Sequence, residues 1–260
     1  MMVERRSLTV FTSNATRAVL DSLAAAYERE SAHSVTVQSD SASVMLARIR
    51  GGDTADAAVL NAADIEELAQ LGKLVRCRPF ARSRIGLAVR AGTAHPDISS
   101  VEALKRALLE ARSVAHTVHG ASGKLVPGLL EKLGIAREIV TVTRPGGLIG
   151  KVVAAGEATV AIQQIPELLA VPGIEVVGPL PDEVQTVLES ACGVFVASGN
   201  ADIAESMLRF FTAPPAFLSF RALFARRAFV SHLISLPRAS GDPRPDRAST
   251  AGASSDSRRS

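Results

Sequence analysis

The sequence predicts an α/β protein with two doubly wound lobes, each built on a mainly parallel sheet. Two crossing segments are expected to join the lobes, with a ligand cleft between them. Short apolar or β-branched runs alternate with helical patterns along most of the chain, which is typical of parallel sheets with right-handed crossovers. The 260 residues are enough for two lobes of roughly 100 residues each.

The first set of alternating elements begins at residue 7. Its first helix carries Val19, Leu20, Leu23 and Tyr27 on one face, which is the spacing of an amphipathic helix. A second helix runs through Met45, Leu46 and Ile49 and stops at Gly51-Gly52. The predicted strands of this set are 7–11, 35–38, 57–60 and 74–77, and its first and third helices are 15–30 and 63–71.

The second set begins at residue 85 and is followed by a return to the first lobe. Its predicted strands are 85–89, 113–116, 139–143 and 160–162, with helices at 100–109, 124–133 and 148–155. The returning elements are a strand at 193–196 and a helix at 202–211.

The two sets define the predicted domains. Lobe 1 comprises 7–80 plus 189–235, and lobe 2 comprises 81–188, with the chain crossing between them near 78–83 and 186–191. Apart from Thr250, residues 237–260 consist of Pro, Ser, Arg, Asp, Ala and Gly without apolar periodicity, so we predict a disordered tail.

Charge and hydropathy exclude several classes of function. The net charge is +3 and the isoelectric point is 9.2. The predicted tail carries five arginines against three aspartates, so the folded part is close to neutral and no nucleic-acid partner is expected. No apolar run reaches the ~18 residues of a membrane span, and residues 1–6 lack the apolar stretch of a secretion signal. From these features alone we expect a cytoplasmic monomer.

Four turns that follow predicted strands are rich in small polar residues. They are Thr12-Ser13-Asn14, Ser39–Ser43, His119–Gly123 and Thr143–Gly147. In a doubly wound sheet, ligands bind beyond the carboxyl ends of the strands, where helices begin. Each such turn offers free backbone N–H groups and the positive end of a helix dipole. Together the four turns predict an anion site.

Several segments resemble the molybdate-binding proteins of ABC transporters, which have the type II periplasmic-binding-protein fold. The first-lobe segments are Leu8–Ala15, Ser41-Ala42-Ser43 and Gly51–Ala57, and the second-lobe segments are Gly123–Gly134 and Ala155–Ile162. The resemblance spans about 7–225 and implies a periplasmic solute-binding protein with an ABC-transporter permease as partner. It places oxyanion contacts at Ala15, Ala42, Ser122, Gly146 and Gln164.

This chain departs from that family at two of the implied contacts. The family usually has serine at the positions of Ala15 and Ala42, so two hydroxyl donors are absent unless Ser13, Ser41 and Ser43 replace them. Lys124 and the pair Gln163-Gln164 suit an organic carboxylate instead. The predicted ligand-binding residues are Ser13, Asn14, Ala15, Ser41, Ala42, Ser43, Ser122, Gly123, Lys124, Gly146, Gly147, Gln163 and Gln164.

A binding protein is the favoured prediction, and an enzyme is the alternative. Some proteins that resemble this family isomerise small tricarboxylates, as aconitate isomerase does. That chemistry moves a proton alpha to a carboxylate and needs a base, an acid and oxyanion donors. His116 or His119 would then serve as the base. The spacing of the histidines gives no metal site, and no cofactor is expected.

Overall fold

The computed structural model describes residues 4–213 and 234–235. The predicted tail, 237–260, lies outside the described residues, as does most of the end of predicted lobe 1. Within the described ranges, no helix is long and apolar enough to cross a membrane.

Strands and helices alternate through the described chain, so the predicted α/β class is confirmed. The strands are β1 Ser7–Ser13, β2 Ser34–Asp40, β3 Ala57–Asn61, β4 Leu74–Arg90, β5 Ser113–Thr117, β6 Val140–Arg144, β7 Val160–Gln164, β8 Ile174–Pro179, β9 Val187–Phe195 and β10 Ile234–Ser235. The helices are α1 Asn14–Glu30, α2 Ala42–Arg50, α3 Ala62–Gln70, α4 Val101–Ala111, α5 Ala121–Lys132, α6 Gly150–Ala154, α7 Ile165–Leu169 and α8 Ala201–Thr212, with a 3₁₀ turn at Asp182–Val184.

The first sheet has the order β2-β1-β3-β9-β4. Pairing is parallel from β1 to β2 and from β1 to β3, as predicted. Helix α1 covers this sheet because its apolar face is buried: Leu20 is fully buried, and Val19, Leu23 and Tyr27 are nearly so. These side chains form one core cluster with Val10 and with residues of β9 and α8. The carboxyl ends of β1, β2 and β3 therefore lie at one edge, where α1, α2 and α3 begin.

The second sheet has β4, β7, β5 and β6 in that order, with β8 also pairing with β4. Strand β5 is parallel to β6 and to β7, whereas β7 and β8 run antiparallel to β4. Its core contains Leu87, Leu104, Val126, Leu130 and Ile162.

Strand β4 belongs to both sheets, and this differs from the two short strands that the sequence predicts at 74–77 and 85–89. It pairs with β9 from Leu74 to Arg84 and with β7 from Ile85 onward. The sequence hides this continuity because Pro79 removes an N–H donor in mid-strand. Register shifts between Val75 and Arg78 and between Pro79 and Ala81 accommodate the proline.

Two short elements, α7 and β8, lie where the sequence predicts none. Helix α7 is five residues long and contains Pro166 in its first turn, so it is too short for a helical periodicity to show. Strand β8 ends at Gly178-Pro179, which reads as a turn rather than as a strand. Helix α7 directly follows Gln164, and β8 pairs with β4 in the second sheet.

We predict that Gly86→Ala destabilises the protein, because β4, β8 and α7 meet closely there. A Cβ at Gly86 would lie 2.6 Å from Ile165 Cγ1 and 2.7 Å from the Gly178 carbonyl oxygen. The free energy of unfolding should fall by about 1–3 kcal/mol in urea denaturation. The matched control is Gly128→Ala in α5, where nothing lies within 4 Å of the added methyl. Gly128→Ala should raise the free energy of unfolding by about 0.5–1 kcal/mol. Equal effects of the two changes on this free energy would contradict the predicted packing.

Candidate functional site

A cavity of about 250 Å³ lies between the two sheets, where helices from both begin. The first sheet contributes the turns before α1, α2 and α3, through Ser13, Asn14, Ser41 and Asn61 among others. The second sheet contributes the turns before α5, α6 and α7. The arrangement follows from topology, because these helices all begin at the carboxyl ends of strands.

The helix ends at this cavity leave backbone donors available. Helices α1 and α5 have Ser13 and Gly120 as N-cap residues, and neither cap makes a side-chain hydrogen bond to its helix. Helix α2 is capped by Ser41, whose hydroxyl accepts a hydrogen bond from the backbone N–H of Val44. The first N–H groups of a helix have no partner within the helix, and they carry its positive dipole end. Two uncapped helices facing one cavity favour an anion as its occupant.

The structure brings most of the predicted ligand-binding residues to this cavity. They are Ser13, Asn14, Ala15, Ser41, Ala42, Lys124, Gly146, Gly147, Gln163 and Gln164, together with His119. The cavity is also lined by Asn61, Thr117, Gly120, Glu167 and Leu188, which the sequence analysis does not single out.

Four other predicted residues do not line the cavity. The hydroxyl of Ser122 is buried, and it lies 3.2 Å from the Thr117 backbone nitrogen and 2.9 Å from Thr117 Oγ1. Gly123 packs on the preceding turn, where a Cβ would lie 2.1 Å from the Val118 carbonyl oxygen. His116 is 5% exposed and its Nδ1 lies 3.0 Å from the Thr117 carbonyl oxygen. Ser43 is exposed beside Ser41. Ser122 and Gly123 therefore stabilise the turn that precedes α5 without lining the cavity.

The two glutamines have different environments. Gln163 is buried, and both ends of its amide are engaged: Oε1 accepts from the Ile149 N–H at 3.0 Å, and Nε2 donates to the Gly147 carbonyl at 2.8 Å. It therefore holds the turn at 147–149. Gln164 Oε1 accepts from Ser83 Oγ at 2.8 Å. This bond fixes the amide and leaves its NH₂ group as a donor in the cavity wall.

Three ionisable side chains line the cavity in the described part of the chain: His119, Lys124 and Glu167. Lys124 is exposed and forms no salt bridge with a described residue, although its charge lowers the pKa of Asp64 on α3. The same carboxyl has a pKa above its usual value on balance, because burial outweighs the Asn61 hydrogen bond and Lys124.

Glu167 is the least expected member of the site. It occupies the first turn of α7, and burial raises its pKa to about 8, against the lowering effect of a hydrogen bond from the Gln164 backbone. A sequence signal was available: Gln164 and Glu167 stand three apart with Pro166 between them. Proline at a helix start followed by an acid in the first turn is a helix N-terminus pattern.

The two sides of the cavity lie close together at Gly146. A Cβ on Gly146 would lie 3.4 Å from Ser41 Cβ, which is ordinary van der Waals contact. Ser41 belongs to the first sheet and Gly146 to the turn after β6 of the second. The absence of a side chain at 146 therefore lets the two sides approach.

We predict that Gly146→Leu lowers the affinity for an anion at least tenfold, because the added side chain must occupy the space of Ser41. The free energy of unfolding without ligand should change by no more than about 0.5 kcal/mol, since 146 lies in a surface turn. Calorimetric titration and urea unfolding measure the two quantities. Gly128→Leu, with nothing within 4 Å of its Cβ position, is the control. Unchanged affinity in the Gly146 variant would show that this contact does not close the cavity.

The fold and the cavity together define a solute receptor of the type II periplasmic-binding-protein class. Residues 8–222 match the family model of bacterial extracellular solute-binding proteins. The chain therefore belongs to that family.

Solved structures confirm the predicted resemblance to molybdate-binding proteins. The periplasmic molybdate-binding protein of Azotobacter vinelandii is similar with a TM-score of 0.65 at 18% identity, covering 83% of this chain and 96% of that chain. The substrate-binding domain of a molybdenum ABC transporter from Clostridium difficile also has a TM-score of 0.65, at 14% identity and the same coverage. The sulfate-binding protein of Mycobacterium tuberculosis has a TM-score of 0.63 at 17% identity, covering 85% and 91%. At these identities the likeness shows the fold.

A curated relative belongs to a different functional class. An aconitate isomerase from Pseudomonas sp is 27% identical over 219 residues, which cover 81% of this chain and 84% of that protein.

Proposed function

We propose that this protein is a solute-binding protein that closes over a small anion bearing carboxylate groups. One observation carries the proposal: uncapped helix N-termini from both sheets share a cavity with Lys124 and the free amide donor of Gln164. Backbone donors favour any anion, and Lys124 adds one positive charge.

An organic carboxylate fits the lining better than molybdate does. The methyl groups of Ala15 and Ala42 stand where the molybdate-binding family usually has hydroxyl donors. A hydrogen bond to a charged group contributes about 1.5–3 kcal/mol, so the loss of two lowers the affinity for a tetrahedral oxyanion by several orders of magnitude. A carboxylate ligand needs fewer converging donors and is well matched by an amide and an ammonium group.

The domain division, partner and location complete the proposal. The lobes 7–80 plus 189–235 and 81–188 would close over the ligand as a monomer. Family membership favours delivery of the ligand to an ABC-transporter permease, with the binding protein outside the cytoplasmic membrane. This location replaces the cytoplasmic one expected from residues 1–6 alone.

Anion binding is tested by urea unfolding with a panel of molybdate, sulfate, phosphate, citrate and trans-aconitate. At about 100 times Kd, a ligand should raise the free energy of unfolding by about 2.7 kcal/mol. We expect citrate or trans-aconitate to do so and molybdate to have a smaller effect. Lys124→Ala should weaken binding by about tenfold or more. Lys151→Ala, which removes an exposed lysine of α6 outside the cavity, should not. The absence of stabilisation by every anion would sink the proposal.

A second candidate, an isomerase of a small tricarboxylate, is favoured by the relative from Pseudomonas sp together with two ionisable side chains in the cavity. His119 and Glu167 line it along with Lys124. One would remove the proton alpha to a carboxylate and the other would return a proton to the product. The N-termini of α1 and α5 would stabilise the enolate oxygen.

The isomerase predicts turnover, which binding alone does not. Incubation with trans-aconitate and with cis-aconitate, followed by proton NMR, should show each isomer converting to the other. His119→Gln should lower the rate at least about 100-fold, the usual contribution of general acid–base catalysis. His116→Gln, at a residue outside the cavity, should keep the rate if the protein folds. Unchanged substrate at high protein concentration, with binding retained, leaves the receptor as the function.

A further inference from the structure

We propose that Glu167 meets the bound anion as a neutral carboxylic acid and donates a hydrogen bond to it, so that in alkaline solution the cavity takes up the anion together with one proton. The inference rests on the proposed function, because it concerns how the same cavity holds a carboxylate ligand. Glu167 would then be a specificity-determining residue, which selects anions by their ability to accept a hydrogen bond at this wall.

The position of Glu167 creates an electrostatic conflict if the side chain is ionised. It lines the cavity beside Gln164 and across from the α1 turn. An ionised carboxylate there would repel a carboxylate ligand and would offset the attraction of Lys124. A neutral acid removes the repulsion and adds a donor. Glu167 would therefore weaken the binding of a carboxylate ligand when it is ionised and strengthen that binding when it is neutral.

Burial favours the neutral form. Glu167 is partly buried between the cavity and the core of the second sheet, and burial raises its pKa to about 8. The hydrogen bond from the Gln164 backbone acts in the opposite direction but is the smaller effect. At pH 7 the acid form is therefore the main form.

The geometry of a protonated carboxyl suits both contacts. Its carbonyl oxygen accepts the backbone N–H of Gln164, and its hydroxyl remains free to donate towards the cavity. Beside it, the NH₂ group of Gln164 is also free, because Oε1 of that amide is held by Ser83. Gln164 and Glu167 thus form a pair of neutral donors on one wall.

The charged groups on the elements that pack against α7 lie outside the cavity lining. Helix α7 packs on α1, β4, β7 and β8, and β7 carries no charged residue. The ion pairs on the other three are Arg17–Asp21, Arg76–Asp202, Arg76–Glu205, Arg78–Glu205, Arg82–Glu189, Arg84–Asp182 and His95–Glu175. None of these residues lines the cavity. Among the described lining residues, the ionisable side chains besides Glu167 are His119 and Lys124.

The expected pH dependence follows from binding by the protonated form. A carboxyl whose pKa is about 8 holds its proton below that pH and loses it above. The affinity for citrate or trans-aconitate should therefore be constant below pH of about 7.5 and fall about tenfold from pH 7 to pH 9. Calorimetric titration measures this. At pH 9 the binding heat in two buffers of different ionisation enthalpy should show uptake of close to one proton, and at pH 6.5 close to none.

The decisive variant is Glu167→Gln, which keeps an acceptor for the Gln164 N–H and a donor for the ligand but does not titrate. It should bind the same probe at pH 7 and at pH 9 with equal affinity. His119→Gln is the matched control and should keep the loss of affinity above pH 8. Proton uptake by the unaltered protein is a second measurement that needs no variant.

The outcomes separate the inference from the function it rests on. No binding of any panel anion at pH 6.5 would contradict the proposed function itself. Binding with equal affinity at pH 7 and 9 and without proton uptake would contradict only the role of Glu167. Loss of the pH dependence in the His119 variant would assign the proton to His119 and would also overturn the inference.

Discussion

Strand β4 is the constraint on which the rest of the structure depends, because one strand serves as a member of both sheets. From Leu74 to Arg84 it pairs with β9, and from Ile85 it pairs with β7. The sheets therefore cannot separate at this strand, and their carboxyl edges are held towards each other. Ser83 stands at the transition and donates to Gln164, whose backbone pairs with Ile85. The strand that joins the lobes thus also orients a donor in the cavity.

In the proposed function, the cavity binds an anion mainly with backbone and neutral groups rather than with a cluster of cations. Its described lining has one lysine and no arginine, and the nearby arginines are paired, such as Arg144 with Glu157. Fixed N–H dipoles do not reorganise when the ligand arrives, so the site is complementary to an anion before binding. Because the described lining has one positively charged lysine, the protonation state of the single carboxyl of Glu167 has a large effect on the proposed anion binding.

The sequence predicted those parts of the structure that depend on local pattern. The apolar face of α1 and the small polar turns after β1, β2, β5 and β6 were readable because periodicity and turn chemistry are local. The continuity of β4 was not, since Pro79 and four arginines between 76 and 84 mask a strand whose partner β9 is distant in sequence. Gln163 was predicted to contact ligand, but its partners are backbone groups at 147 and 149. Only the tertiary structure shows that the Gln163 amide is held by backbone groups, whereas the Gln164 amide keeps a free donor.

The segment Gly51–Ala57, which carries part of the family resemblance, has a structural basis that the sequence does not reveal. Asp56 accepts the Thr9 N–H at 2.8 Å, the Ser198 hydroxyl at 2.6 Å and the Asn200 amide at 3.1 Å. It thereby ties β1 to the turn before α8 and fixes the edge from which α1 begins. Asp56, with three donors from other elements, is therefore a structural acid, whereas Glu167 lines the cavity.

Neither side of the cavity holds a complete set of donors by itself. The first sheet supplies the α1 turn, and the second supplies the α5 turn, Lys124 and Gln164. Ser41 reaches Gly146 only when the two sides are close. A ligand that contacts both sides therefore binds the closed arrangement more tightly than an open one, and it shifts the equilibrium towards closure by that difference in affinity. In the proposed closure Gly146 therefore has two roles, because it lines the cavity and also lies beside Ser41 of the opposite side.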